Sequence, residues 1–251
     1  MTLKFNAKSH RYWLDGKPCT GVTTLIGKGL PKEVLAYWSA RTVAEYVADN
    51  EYGVEQLRAM GRGPMVAALK GIPWQARDEA AVRGTDVHAL AEQIVHGEAV
   101  VVPPQLSGYL EGYVRFLDKF GVEPILTERS VGNRTHWYAG RFDLIALIGG
   151  VVWMADVKTS RKVYGSIALQ THAYANAEFY VDDDDPDTEH PMPEVERHGV
   201  LHVTESGTEL RPLDSSEKPW RLFQHVAFVA KNREAIDAFI DEPVTDLGSL
   251  T

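Results

Sequence analysis

Cysteine is almost absent from this chain of 251 residues, in which Cys19 is the only thiol. One thiol cannot form an intrachain disulfide, and it cannot supply the cysteine ligands of a zinc or iron–sulfur site. Apolar runs long enough to cross a bilayer are also missing, and the first residues lack the apolar segment of a secretory signal. We therefore expect a cytoplasmic protein without an iron–sulfur cluster and without a membrane partner.

Positive charge is scarce as well, because 26 Lys and Arg stand against 35 Asp and Glu, for a formal net charge of −9. Such a balance argues against a nucleic-acid partner, but the charge is uneven. Nine acids and three prolines, without Lys or Arg, lie within residues 178–196 and predict a solvated acidic loop at about 182–196. Residues 129–162 carry six bases against two acids, so the local field there is positive.

The hydrophobic period changes along the chain from helical to strand-like. The first residues, with a turn at Asp15-Gly16, predict a small β-meander that extends to about residue 27. Helices are predicted at about 31–50, 54–70, 74–97, 105–120, 166–181 and 216–241, and strands at 125–133, 137–148, 151–160 and 198–205. This order predicts an α/β (α+β) fold with a mixed central sheet flanked by helices. An N-terminal meander and helical region (1–80) would precede the core (81–251).

Two central strands carry charged residues inside apolar sequence, GRFDLIALIGGVVWMADVKTS at residues 140–160. Gly149-Gly150 predicts a two-residue hairpin turn, and the resulting register places Asp143 directly opposite Asp156. Like charges that face each other on a ladder repel. A bound cation, or a shared proton that raises one pKa, would offset this repulsion.

Two cations accompany the acids on this hairpin. Lys158 shares the strand face of Asp156, and the same register places Arg141 opposite Lys158. Carboxylate oxygens beside an ammonium group suit Mg²⁺ or Mn²⁺. The alternative is a solvated outer face on which the acids form ion pairs with the neighbouring bases, Arg161 among them. Spacing alone does not decide between the two.

The ordered motifs resemble a known nuclease core. Gly140-x-x-Asp143, then Asp156-x-Lys158, then Gln170-x-x-x-Tyr174 are similar to the G-x-x-D, D-x-K and Q-x-x-x-Y motifs of the RecB-type branch of the PD-(D/E)XK nuclease superfamily. His88, in RGTDVHALAEQ, matches the upstream helical histidine of that branch. The segments HRYWLDG, TGVTTLI and PKEVLAYWSA are similar to the opening of phage-encoded exonucleases of this type, so the resemblance covers most of the chain.

Two departures from the superfamily pattern are present. Phe142 stands where the superfamily is named for a proline, as is usual in the RecB-type branch. Related nucleases of the CRISPR-adaptation kind carry four cysteines for an iron–sulfur cluster, which Cys19 alone cannot replace. Those relatives are therefore excluded as a functional guide.

The resemblance implies a restriction-endonuclease-like core and a Mg²⁺- or Mn²⁺-dependent DNA exonuclease, phage-encoded and acting in replication, recombination or repair. Asp143, Asp156 and Lys158 would be the catalytic residues. The metal ligands would be His88, Asp143, Asp156 and the backbone carbonyl of Val157, with Glu92, one helical turn after His88, as a further candidate. Lys158 would stabilise developing charge rather than abstract a proton, because the two carboxylates oppose a depressed pKa.

DNA would be the main partner. The residues predicted to contact it are Gln170 and Tyr174, at i and i+4 of one helix, together with Arg141, Arg161 and Lys162. Three alternatives remain open: a structure-selective endonuclease with the same site, an inactive relative that only binds nucleic acid, and an acidic DNA mimic. A recombination or replication partner protein and a ring-forming homo-oligomer also stay open.

Overall fold

The structure, a computed structural model, describes residues 2–6, 9–30 and 33–240. These residues form a nine-stranded mixed sheet flanked by helices, which confirms the predicted α/β class. The strands are β1 (Leu3–Asn6), β2 (Arg11–Leu14), β3 (Lys17–Gly21), β4 (Glu123–Asn133), β5 (Tyr138–Ile148), β6 (Val151–Lys158), β7 (Phe179–Val181), β8 (Arg197–Thr204) and β9 (Gly207–Pro212). The helices are α1 (Val22–Gly29), α2 (Glu33–Asp49), α3 (Glu51–Ala59), α4 (Arg62–Val95), α5 (Ser107–Phe120), α6 (Ser166–Ala175) and α7 (Lys218–Asn232), with short 3-10 helices at Pro104–Leu106 and Arg233–Phe239.

The sheet has the strand order β1-β2-β3-β5-β6-β8-β9, and β4 pairs with both β5 and β7. The pairs β3–β5 and β6–β8 are parallel and the others antiparallel. The N-terminal meander therefore extends the central sheet. The proposed boundary at residue 80 falls inside α4, and the division into two regions stays a prediction.

Strand β5 changes partners along one of its edges. Its pairs with β3 end at Ala139, and its pairs with β6 begin at Leu144. Along the other edge β4 accompanies β5 from Tyr138 to Leu147. Residues 140–143 therefore lie where the sheet opens between β3 and β6, and the motif Gly140-x-x-Asp143 occupies this opening.

Apolar side chains cover both faces of the sheet. On one face α1, α6 and α7 pack through residues such as Leu25, Leu169 and Phe223. On the other face α4 and α5 pack through residues such as Val87 and Tyr113. Within the described part of the chain, no helix has both the length and the apolar composition that crossing a membrane requires.

Several element boundaries differ from the sequence prediction. The predicted break at residues 71–73 is wrong, because α4 continues through Pro73, which is buried; this packing offsets the hydrogen bond that a proline removes. Residues 22–27 form helix α1 rather than part of the meander, since Val22, Leu25 and Ile26 bury one helical face.

Towards the C-terminus two further differences occur. The predicted helix 166–181 ends at Ala175, because Phe179–Val181 pairs with the edge of β4 instead. Strand β9 was not predicted. The predicted acidic loop at 182–196 does lie between two strands, β7 and β8. The last predicted helix ends as α7 at Asn232 and continues as a 3-10 helix, and its predicted end at residue 241 lies outside the described residues.

Candidate active site

The β5–β6 hairpin has the register that its Gly-Gly turn predicts. Gly149 (φ +59°) and Gly150 (φ +83°) are both in the left-handed region, as a type I′ turn requires. The described ladder runs from Ile148–Val151 to Leu144–Ala155 and ends one pair before the two acids. The predicted facing of Arg141 and Lys158 is therefore not formed, because the strands have already separated at that point.

Asp143 lies at this separation point and bridges it with its side chain. The backbone N–H of Val157 donates a hydrogen bond to Asp143 Oδ2 over 2.7 Å. The Asp143 side chain is 15% exposed. Burial, together with the charge of Asp156, raises the pKa of Asp143 to about 6. The predicted repulsion between the two carboxylates is thus present although the ladder does not pair them.

Helix α4 brings His88 to Asp143. The distance from His88 Nδ1 to Asp143 Oδ2 is 3.6 Å, and that to Glu128 Oε1 is 4.0 Å. Burial alone would lower the pKa of His88, but the negative charge of Asp143 and the nearby carboxylate of Glu128 raise it overall. His88, which was predicted as a metal ligand on the upstream helix, therefore lies close enough to Asp143 for both to bind one ion.

Glu128, on β4, is a site residue that the sequence analysis missed. Thr127 pairs with Leu144 and Arg129 with Phe142, so Glu128 occupies the register position opposite Asp143. Its φ of +47° is in the left-handed region, which costs a non-glycine residue roughly 1–2 kcal/mol. Strain of this kind clusters at functional sites.

His88, Glu128 and Asp143 form a candidate metal-binding group. One ligand atom from each lies within 4.8 Å of the other two. Burial alone would raise the pKa of Glu128, but the hydrogen bond from Arg141 and the nearby imidazole of His88 lower it overall. Glu128 is therefore ionised at neutral pH. One imidazole nitrogen and two carboxylates suit Mg²⁺ and Mn²⁺ as well as other divalent ions.

Asp156 is held by two polar neighbours. The side chain of Asp156 is 3% exposed, and Gln170 Nε2 donates to its Oδ1 over 2.6 Å. Its Oδ2 forms an ion pair with the ammonium group of Lys158. Asp156 therefore acts on Asp143 through its charge, but among the described residues it is outside the three-residue metal group.

The side chain of Lys158 keeps its positive charge at this site. Burial alone would lower the pKa of Lys158, but Asp156 and Asp143 raise it overall. Its Nζ also donates to the carbonyl oxygen of Val157 over 3.3 Å, so that carbonyl points towards the charged groups. These contacts agree with the expectation that Lys158 acts as a cation and not as a base.

Glu92 lies on α4 one turn beyond His88 and lines the same cleft. Burial and the charge of Glu128 raise the pKa of Glu92. Among the described residues Glu92 is outside the three-residue metal group. Its role as a further ligand stays a prediction.

Tyr174 explains the glycine of the Gly140-x-x-Asp143 motif. A Cβ atom at Gly140 would lie 2.3 Å from Cε1 of Tyr174, so any side chain there would displace the ring. Tyr174 is 3% exposed, and it fills the opening of the sheet between β3 and β6. Helix α6 therefore supplies both Tyr174 and Gln170 to the site, as the spacing of i and i+4 predicts.

An open cleft of about 620 Å³ gives access to these residues. Its floor includes Asp143, Lys158 and Gln170, and its walls come from α4 and from the N-terminal meander. Comparison with protein-family models and with curated proteins gives no match to this chain. Roles for the residues of the candidate site therefore have to be argued from their positions and chemistry.

The bases predicted to contact DNA have different surroundings. Arg141 lines the cleft and is engaged by acids: its Nε donates to Glu128 over 2.9 Å, and its two terminal nitrogens donate to Asp183 over 2.7 and 2.9 Å. Arg161 and Lys162 are exposed and directly follow Ser160, a residue of the cleft wall. The structure thus places Arg141 at the site and the other two at its margin.

Proposed function

We propose that the protein is a Mg²⁺-dependent nuclease that hydrolyses phosphodiester bonds of DNA as an exonuclease. The observation that carries this proposal is the joint position of His88, Glu128 and Asp143 beside the charged Lys158 on the floor of an open cleft. Carboxylates next to a lysine in such a cleft are suited to hydrolysis of an anionic ester. The resemblance to RecB-type nucleases supports the same conclusion.

The donor set fits a divalent cation. His88, Glu128 and Asp143 would hold it, with Asp156 and the Val157 carbonyl as the further ligands that the resemblance implies. The pKa of Asp143 is raised by burial and by the charge of Asp156, which reports negative charge that a cation would neutralise. When bound, such an ion lowers the pKa of water and offsets charge on phosphate oxygens.

The side chains have separate tasks in this proposal. The Lys158 ammonium group stabilises the negative charge that develops on the phosphate oxygens. Gln170 and Lys158 fix the orientation of Asp156, and the Val157 N–H fixes that of Asp143. Because these supports lie on α6 and on β6 itself, the site remains oriented before the substrate binds.

The decisive experiment measures Mg²⁺-dependent degradation of end-labelled linear DNA by purified variants. Lys158→Ala and Asp156→Asn should each reduce the rate by at least about 100-fold, since they remove a charge that acts in the transition state. Glu128→Gln should raise the Mg²⁺ concentration that half-maximal activity requires, because it removes one charged ligand. Lys119→Ala and Asp118→Asn, exposed on α5 outside the cleft, are the matched controls. Full activity in both Lys158→Ala and Asp156→Asn would refute the proposal.

A covalently closed circle distinguishes exonuclease from endonuclease action. An exonuclease should leave the circle intact while it degrades linear DNA of the same sequence. Cleavage of the circle would support the structure-selective endonuclease, and binding without cleavage would support an inactive relative. A cytoplasmic location is part of the proposal, and fractionation of cells that express the protein tests it.

A further inference from the structure

The N-terminal meander contributes an aromatic wall to the cleft. Phe5 on β1 and Tyr12 on β2 line it together with His10. The rings of Phe5 and Tyr12 are stacked, with centroids 4.7 Å apart and planes inclined by 23°, and His10 meets the edge of Phe5 at 5.9 Å. Both rings are half-buried, so each keeps part of its surface open. Neither ring has a task in the hydrolysis proposed above.

The aromatic pair is fixed to the sheet rather than free to move. Tyr12 packs against the backbone of Gly21, where a Cβ atom would lie 3.0 Å from Tyr12 Cε2. Burial raises the pKa of Tyr12 to about 12, and the charges of Arg141 and Glu128 also act on its hydroxyl. The hydroxyl end of the ring is thus close to the metal group, and Phe5 extends the aromatic surface away from it.

Small residues of α4 also line the cleft. Ala81, Gly84, Thr85 and Ala89 line it, on one helical face at spacings of three and four residues. A Cβ atom at Gly84 would lie 3.3 Å from Thr159 Oγ1, so α4 passes close to the end of β6. The lining from α4 therefore combines these short side chains with those of His88 and Glu92.

The size and lining of the cleft suit an unpaired nucleotide. Its volume of about 620 Å³ is in the range of small-molecule sites, roughly 300–1,000 Å³. An unpaired base can lie flat against an aromatic ring, whereas a base inside a duplex is already stacked between its neighbours. Aromatic rings in a groove of this kind stack on unpaired bases, whatever their sequence.

We infer that the cleft takes a single unpaired DNA strand and that Phe5, supported from behind by Tyr12, stacks on a base beside the phosphate to be cleaved. This inference rests on the proposed nuclease function and adds its substrate class. Phe5 is the specificity-determining residue, since Tyr12 is anchored against Gly21. Duplex ends are then degraded only where the strands separate.

The test compares three substrates: a single-stranded oligonucleotide, the same sequence as a blunt duplex, and a single strand of the same length made of abasic nucleotides, which has no base to stack. The wild-type protein should degrade the single strand at least about 10-fold faster than the duplex. Phe5→Leu keeps an apolar side chain and removes the aromatic face, and it should raise KM for the single strand by about 5- to 150-fold, the loss of one stacked base. Phe5→Trp should restore a low KM.

The abasic strand separates this inference from the proposed function. Phe5→Leu should degrade the abasic strand at the wild-type rate, because the metal group is unchanged and there is no base to stack on residue 5. Tyr37→Leu, an aromatic exposed by 78% on α2 and outside the cleft lining, is the matched control and should behave as wild type throughout. Equal rates on single strand and duplex, or an unchanged KM in Phe5→Leu, would overturn the inference. Absence of Mg²⁺-dependent hydrolysis of every substrate would overturn the nuclease function itself.

Discussion

At the scale of single residues, the carboxylate of Asp143 is held in a state that is unfavourable without a cation. It is nearly buried, it faces the charge of Asp156, and its pKa is raised to about 6. His88 and Lys158 offset only part of this cost, since both also serve other acids. A site that is destabilised by its own acids gains stability when a cation binds.

Neutralising Asp143 should therefore stabilise the metal-free protein. The folded protein binds a proton at Asp143 up to about pH 6, whereas the unfolded chain loses it near 3.8, so the free energy of unfolding falls as pH rises through this interval. The loss of unfolding free energy caused by the ionised Asp143 carboxylate is complete above the pKa of the folded protein, and it is at most about 3 kcal/mol. Asp143→Asn removes it and keeps an oxygen that accepts from Val157.

Urea denaturation in the presence of a chelator measures this difference. At about pH 7.5 Asp143→Asn should be more stable than wild type, and the difference should shrink towards about pH 4. Added Mg²⁺ should stabilise wild type more than the variant. A variant that is less stable than wild type without metal would show that Asp143 is not under repulsion.

The sequence predicted some of these residues and not others, for physical reasons. Asp143, Asp156 and Lys158 follow from motif order and from a two-residue turn that fixes the β5–β6 register. Glu128 could be found only from the β4–β5 register, which depends on a longer connection between Asn133 and Tyr138, and it adopts an unusual backbone conformation. Its role was therefore not visible in the local pattern.

At the scale of elements, tertiary packing overrode local signals. The sequence predicted the central strands and the sheet class, because their periodicity is strong. It did not predict that α4 continues through Pro73 or that Phe179–Val181 pairs with β4, because both depend on surfaces supplied by distant segments. The acidic loop, predicted as solvated, shows the same dependence: Asp182 binds Arg129, and Asp183 binds Arg141 through two hydrogen bonds.

The contact between the loop and Arg141 predicts an effect on DNA affinity. A carboxylate that binds arginine through two hydrogen bonds has the geometry of a bound phosphate, so Asp183 competes with the DNA backbone for Arg141. Asp182→Asn combined with Asp183→Asn should tighten single-strand binding by several-fold, as measured by fluorescence anisotropy in chelator at fixed salt.

A second pair of substitutions in the same loop controls for the loss of negative charge alone. Asp184→Asn with Asp185→Asn removes two charges from residues for which the described structure shows no side-chain ion pair. If this pair tightens binding as much as the first, the effect is long-range electrostatics. A larger effect of Asp182 and Asp183 identifies direct competition at Arg129 and Arg141.

At the scale of the whole molecule, α6 joins the site to a buried histidine pair. Its residue His172 stacks on His198 of β8, with centroids 3.7 Å apart and planes inclined by 13°, while Gln170 on the same helix reaches Asp156. The two rings are 4% and 5% exposed. His172 Nε2 lies 2.8 Å from the carbonyl oxygen of Asp214, and His198 Nδ1 has no hydrogen-bond partner among the described residues.

This pair should make the fold sensitive to acid. Burial, with a contribution from His172, lowers the pKa of His198 from 6.5 to about 3. Below about pH 6.5 the unfolded chain takes up a proton that the folded protein refuses, so the free energy of unfolding falls by up to about 1.4 kcal/mol for each unit of pH. His198→Phe keeps the stacked ring and removes this titration.

Thermal unfolding of both proteins between about pH 7.5 and pH 5 checks the prediction. The stability of wild type relative to His198→Phe should fall as pH falls, by about 2 kcal/mol over the lower 1.5 units. A pH-independent difference would mean that His198 takes up a proton as readily in the folded protein as in the unfolded chain, and would contradict the prediction.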